Sequence, residues 1–118
     1  MDQKAEVHQL NNGDIVLCSA EDKVISQGDS DFVKTGINLF IPEDHCAIFL
    51  TISTMFINNG VYIHPAKINM FPEDTGELMI LLKNDGIEDF IIPKSSPIAV
   101  MKIIRSIPAK TRINGVKV

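Results

Sequence analysis

Apolar residues in this chain fall in short runs, not in long stripes. No window sustains the ~3.6-residue spacing of an amphipathic helix. Runs rich in Val, Ile, Phe and Leu recur instead, each bounded by turn residues. The pattern predicts strands at 15–19, 23–25, 32–41, 46–55, 61–63, 66–70, 77–83, 89–92 and 97–105. The punctuation between them is Asn12-Gly13, Gln27-Gly28-Asp29, Pro42-Glu43-Asp44, Asn58-Asn59-Gly60, Pro72 to Gly76 and Asn84-Asp85-Gly86. Many short strands at this spacing read as an all-β sandwich or barrel. The strongest local expectation is a hairpin, in which residues 77–83 turn at Asn84-Asp85-Gly86 and return through Phe90, Ile91 and Ile92. Pro93 then ends the returning strand. Residues 47–50 and 78–82 are continuously apolar. They are expected to be buried on both faces, inside a sandwich or where subunits meet.

The chain has 118 residues, 45% of them hydrophobic, which suits one domain with a real core. No apolar run reaches the ~18 residues of a membrane helix. The first residues, Met1 to Glu6, form no apolar signal core, so an intracellular location, cytoplasmic or nuclear, is expected. A net charge of −4 argues against a nucleic-acid coat, which needs a basic surface. Cys18 and Cys46 are too few for a disulfide framework and are expected to be reduced, partly buried thiols.

Three stretches, in order, resemble the trimeric dUTPase (deoxyuridine triphosphatase) family. Gly13 to Ile25 is similar to the family's Gly-Tyr-Asp-Leu-x-Ser-Ala motif. Val33 to Ile41, followed by Pro42-Glu43, resembles its Thr-Gly-Ile … Ile-Pro strand and turn. Glu77 to Ile103 resembles its Gly-Glu-Ile … Gly-Asp-Arg-Ile-Ala-Gln segment. The resemblance divides the chain into a polar N-terminal segment (1–12), a dUTPase-like domain (13–105) and a basic C-terminal tail (106–118). It implies a jelly-roll-type β-barrel and a homotrimer with active sites between subunits. There a Mg²⁺-bound triphosphate and a deoxyuridine are held, and an Asp activates water to give dUMP and pyrophosphate.

The positions that carry this chemistry in the family hold other residues here. Val16 stands for the metal-linked Asp, and Asp14 lies two residues early. That even offset keeps the strand face but moves a carboxylate about 7 Å. Ser53 survives in the second motif, but Ile52 replaces its Arg neighbour and Thr54 its Gly. Asn69 replaces the water-activating Asp, and an amide accepts no proton at pH 7. Pro97 stands for an Arg and Val100 for a Gln, and the Gly-rich C-terminal arm is absent. On this comparison Val16, Ser53, Asn69, Pro97 and Val100 are vestigial positions, and no catalytic residue, metal or cofactor is expected. The resulting expectation is a pseudoenzyme. It would be a non-catalytic homotrimer, viral by analogy, acting as a protein-interaction or regulatory module. The alternative is a nucleotide-hydrolysing enzyme with a rearranged site that uses Asp14, Ser53 and Glu73 or Asp74. The segment Met70 to Gly76 is about two residues longer than the family's. Met70 and Phe71 in it are candidates for a partner contact or, equally, for plugs in a vacated pocket.

The other polar residues carry less. His8, His45 and His64 lack metal-ligand spacing and read as surface or turn histidines. Glu43-Asp44, Glu73-Asp74 and Glu88-Asp89 sit beside Pro or Gly and read as solvated turns. Ser53 has no His or Lys near it in sequence to activate it. Lys102, Arg105, Lys110, Arg112 and Lys117 make the end of the chain basic, which suits a solvated tail.

Overall fold

The computed structural model describes residues 7–10, 12–74 and 76–106, and the strand residues 112–113 and 116–117. Lys110 in the basic tail lies outside these residues. The strands are β1 (Val7–Gln9), β2 (Ile15–Cys18), β3 (Lys23–Ile25), β4 (Ser30–Asn38), β5 (His45–Leu50), β6 (Val61–Ile63), β7 (Asn69–Met70), β8 (Glu77–Asn84), β9 (Phe90–Ile92), β10 (Pro97–Arg105), β11 (Arg112–Ile113) and β12 (Val116–Lys117). One helix, α1 (Ser53–Asn59), follows β5, and a 3-10 turn spans Pro65–Lys67. β1-β2-β10-β5-β7 form one sheet and β4-β8-β6 a second. β3 pairs with β9, and β11 with β12, as two-stranded sheets. Every strand pairing among the described residues is antiparallel.

The two larger sheets share one core. Leu17, Ala47, Phe49 and Met101 come from the first, and Val33, Val61, Ile80 and Leu82 from the second. Ile25 and Ile92 close the core from the β3–β9 ladder, and Met55 enters it from α1. Leu17 and Leu82 are fully buried. Each such side chain contributes about 1.5–3 kcal/mol. This is the all-β barrel that the spacing of the apolar runs predicts, in the jelly-roll-type form that the family resemblance implies.

Three local expectations change. The hairpin through Asn84-Asp85-Gly86 does not form. β8 pairs with β4 on one edge and β6 on the other, so no edge is left for β9, which crosses to β3. The strand expected over 46–55 stops at Leu50, because the chain turns into α1. That helix ends on Gly60, whose φ of 69° lets its N–H reach back to the Phe56 carbonyl at 2.8 Å. β8 is not buried on both faces in the single chain. Its burial alternates, and Met79 points out at 43% exposure.

The free edge of β4 is closed by acids. The N–H of Phe32 donates to Asp31 Oδ1 at 2.8 Å, and that of Lys34 to Glu21 Oε2 at 3.0 Å. The Lys34 carbonyl accepts from the Ala20 N–H at 2.8 Å.

Two glycines allow the close approach of the α1–β6 turn to the β8–β9 turn. A Cβ on Gly86 would lie 2.0 Å from the Asn59 carbonyl oxygen, and one on Gly60 would lie 2.9 Å from the Gly86 backbone. Gly28 has a positive φ, but a Cβ there would meet nothing within 4 Å. Gly86→Ala is therefore expected to cost roughly 2–4 kcal/mol through a backbone clash, and Gly28→Ala only about 1–2 kcal/mol of conformational strain. Urea unfolding of the two variants checks the order. Equal costs would remove the close-approach argument.

Candidate functional site

The β2–β10 ladder gathers three of the five family positions. Val16 lies opposite Val100, and Pro97 opposite Cys18, with a register shift between Pro97 and Ala99. Ser53 opens α1 directly after β5. Ile52 precedes it in extended conformation, and no side chain caps the helix start. Ile52, Thr54 and Pro97 line one cleft of about 270 Å³. Ser53 faces a shallower hollow of about 450 Å³ with Thr51, Phe56 and Tyr62.

Asn69 lies apart from these, on the far edge of the sheet. It sits on β7 opposite Ile48 and opens into a separate cleft of about 300 Å³. Phe32 and Met79 form apolar wall there, while Lys67, Asn69, Asp74 and Glu77 bring one cation, one amide and two carboxylates together. Asp74 is held by its own turn. Its Oδ2 accepts the Phe71 N–H at 2.8 Å, and its N–H donates to the Phe71 carbonyl at 3.0 Å. The carboxylate is thus fixed by one oxygen. Lys67 is placed by the 3-10 turn, which His64 caps by accepting the Ala66 N–H at 3.0 Å. Lys67 and Glu77 were not picked out from the sequence. The signal was their distance of two residues before Asn69 and one after Gly76, and the extended reading of 66–70 hid it.

The remaining candidates are placed elsewhere. Asp14 is nearly buried and pairs with Lys102 at 3.3 Å, far along β2 from Pro97. Met70 is buried at 8% exposure, paired with Ala47 and packed in the core, whereas Phe71 is half-exposed at 39%. Asp89 Oδ1 accepts the Gln27 N–H at 2.9 Å, and His45 Nδ1 contacts the Glu43 carbonyl at 2.9 Å. Cys18 and Cys46 are buried on β2 and β5. Among the described residues no three His, Cys, Asp or Glu side chains converge as metal ligands. No helix among those residues is long and apolar enough to cross a membrane.

A deoxyuridine 5'-triphosphate nucleotidohydrolase of Clostridium tetani is 33% identical to the chain over 107 residues, covering 91% of this chain and 72% of that protein. This chain belongs to the dUTPase family. A second dUTPase, from Clostridium acetobutylicum, is 33% identical over 87 residues, 74% of this chain and 60% of that protein. The chain therefore spans 60% to 72% of the length of these dUTPases. Among solved structures, the native dUTPase of EIAV matches with a TM-score of 0.79 at 16% identity, covering 93% of this chain and 92% of that one. A mutant dUTPase from phage phi11 of S. aureus matches with a TM-score of 0.78 at 16% identity, covering 94% and 89%. These two matches speak for the fold. No protein-family model matches the chain.

The expectation that this dUTPase-family chain is not an enzyme is overturned by these relatives, which carry an enzyme's name at 33% identity. The motif positions taken singly did not show that the segment after Asn69 brings Asp74 to the cleft that Asn69 lines.

Beside the Ser53 hollow, the Tyr62 hydroxyl donates to Asp85 Oδ2 at 2.5 Å, and Lys83 pairs with Asp85 at 3.2 Å. The hydrogen bond to the carboxylate raises the Tyr62 pKa above its ordinary 10.0. The same hydroxyl, and then Lys83, lowers that of Asp85. A raised phenol favours the fold below its unfolded pKa, and that contribution is lost as pH rises through the folded value. Tyr62 is the one tyrosine and there is no tryptophan, so phenolate absorbance reports it alone. The midpoint is expected above 10.0 and to fall in Asp85→Asn. A midpoint indifferent to that change would break the link.

Proposed function

We propose that this chain is a dUTPase-type nucleotide diphosphatase with a rearranged active site, working as a homotrimer. The observation that carries the reading is the 33% identity to a deoxyuridine 5'-triphosphate nucleotidohydrolase across 91% of the chain. The cleft around Asn69 supports it, since its residue types suit the chemistry. Phosphoryl transfer to water needs a group that takes the water's proton as oxygen attacks phosphorus, and cations or donors that receive charge on the leaving pyrophosphate.

Asn69 does not take that proton, so the role passes to Asp74, which lines the same cleft. The Asn69 amide, with both donor and acceptor capacity, orients the water or the pyrimidine edge. Lys67 offsets phosphate charge at the mouth of the same cleft. Phe32 and Met79 give the flat apolar wall that a nucleobase needs. Val16, Pro97 and Val100 take no proton or charge role, and Ser53 offers at most a hydroxyl to a phosphate oxygen. No step is assigned to magnesium.

Pyrophosphate release from dUTP by the purified chain, against a panel of other nucleoside triphosphates, tests this reading. Asp74→Asn is expected to lower kcat about 10²–10⁴-fold, the usual share of a positioned base. Lys67→Met is expected to raise KM. Release no faster than in buffer for every nucleotide would sink the reading. Full activity in Asp74→Asn would move the base to Glu77, which Glu77→Gln then checks.

A further inference from the structure

Among the described residues, Lys67 is the one cation that lines the Asn69 cleft, beside the carboxylates of Asp74 and Glu77. It forms an ion pair with neither of them. A lysine on a flexible stem turns toward nearby acids unless its backbone aims it elsewhere. What aims Lys67 is the short 3-10 turn Pro65–Lys67.

A turn of this kind has few hydrogen bonds of its own. This one hangs from both large sheets. Before it, the His64 N–H donates to the Leu81 carbonyl on β8 at 2.8 Å. After it, the Ile68 carbonyl accepts the Phe49 N–H of β5 at 2.9 Å. Leu81 lies opposite Phe32 in the β4–β8 register, and Phe32 belongs to the apolar wall of the cleft. The turn is thus a bridge from the wall strands to β5, with Lys67 at its last position.

Between these two pins, His64 supplies both acceptors that shape the turn. Its carbonyl accepts the Lys67 N–H at 3.0 Å, and its Nδ1 accepts the Ala66 N–H at 3.0 Å. Pro65 has no N–H to satisfy, and its ring fixes φ at the first position. The Ala66 N–H is therefore the first donor of the turn, and the imidazole answers it. Any residue at position 64 would supply the carbonyl. The side-chain acceptor depends on the residue type.

We propose that His64 is a positioning residue for substrate binding, holding Lys67 where the phosphates of a nucleoside triphosphate meet it. The proposal rests on the diphosphatase reading and deepens it. With the cap in place, the cation is presented already ordered. Without it the turn frays, fewer molecules present the cation, and apparent affinity falls by that fraction. Asp74 is held separately, by its own turn with Phe71, so the chemical step is untouched.

Steady-state pyrophosphate release from dUTP by the full chain tests this, with thermal unfolding of each variant as a check of the fold. His64→Ala is expected to raise KM about fivefold, the size of a lost cap, at unchanged kcat. His64→Leu keeps the bulk without the acceptor. It is expected to match His64→Ala, and it replaces that variant if the alanine chain does not fold. His64→Asn, whose amide oxygen caps such turns, is expected to keep KM within about twofold of the parent. In a Lys67→Met background, His64→Ala is expected to change KM no further, because the two residues act as one unit. A parent that releases no pyrophosphate would overturn the diphosphatase reading and this proposal together. An active parent whose KM is unchanged in His64→Ala and His64→Leu would overturn this proposal alone. So would a fall in kcat at constant KM, an Asn variant no better than Ala, or a further rise of KM in the Lys67→Met background.

Discussion

The fold turns on the side chain of Asn84. It is fully buried at the end of β8, and its amide nitrogen donates to the carbonyls of Ile25 and Glu88 at 2.9 Å each. Its amide oxygen accepts the Gly86 N–H at 3.0 Å. Its backbone is equally engaged, donating to Asp29 and accepting from Gly28. One residue thus ties the end of β3, the entry to β4 and the turn into β9 to the strand that β4 and β6 flank. A buried amide left without partners costs about 1–3 kcal/mol for each group orphaned. The junction therefore forms complete, and the chain leaving β8 is sent across to β3.

That crossing has a functional result. With β9 drawn away, the segment after it delivers Pro97 to the β2–β10 ladder beside the start of α1. The β7 edge of the same sheet carries Asn69, whose cleft Lys67 and Asp74 also line. The two clefts share no lining residue. A rigid layer holds such groups more firmly than free loops would, because each strand is fixed by its neighbours.

Much of the barrel was legible in the sequence because strand signals are local. Apolar alternation and turn residues placed most of β2 to β10 to within a few residues. What failed were the choices made at a distance. Asn84-Asp85-Gly86 reads as a hairpin turn, and nothing nearby in the chain says that β4 and β6 already occupy both edges of β8. α1 was missed because Met55, Phe56 and Ile57 suit a strand as well as a helix, and Gly60 marks an end to either. The family was legible from Thr35-Gly36-Ile37 and Ile98-Ala99, which are structural positions. Thr35 is buried and donates to the Leu78 carbonyl at 2.6 Å, which explains why that residue type is needed. The candidate cleft was harder, because Asp74 and Glu77 meet Asn69 through a turn whose path is not readable from motif positions taken singly.

The acids along β4 have a consequence for how copies of this chain behave in company. Bare amides at a sheet edge invite any stray strand to pair, and pairing of that kind has no natural end. Here the outward N–H groups of Phe32 and Lys34 are already answered from within the same chain. An incoming strand would have to displace carboxylates to gain the same bonds. Newly made chains, crowded together, are thus steered away from edge-on growth into fibres.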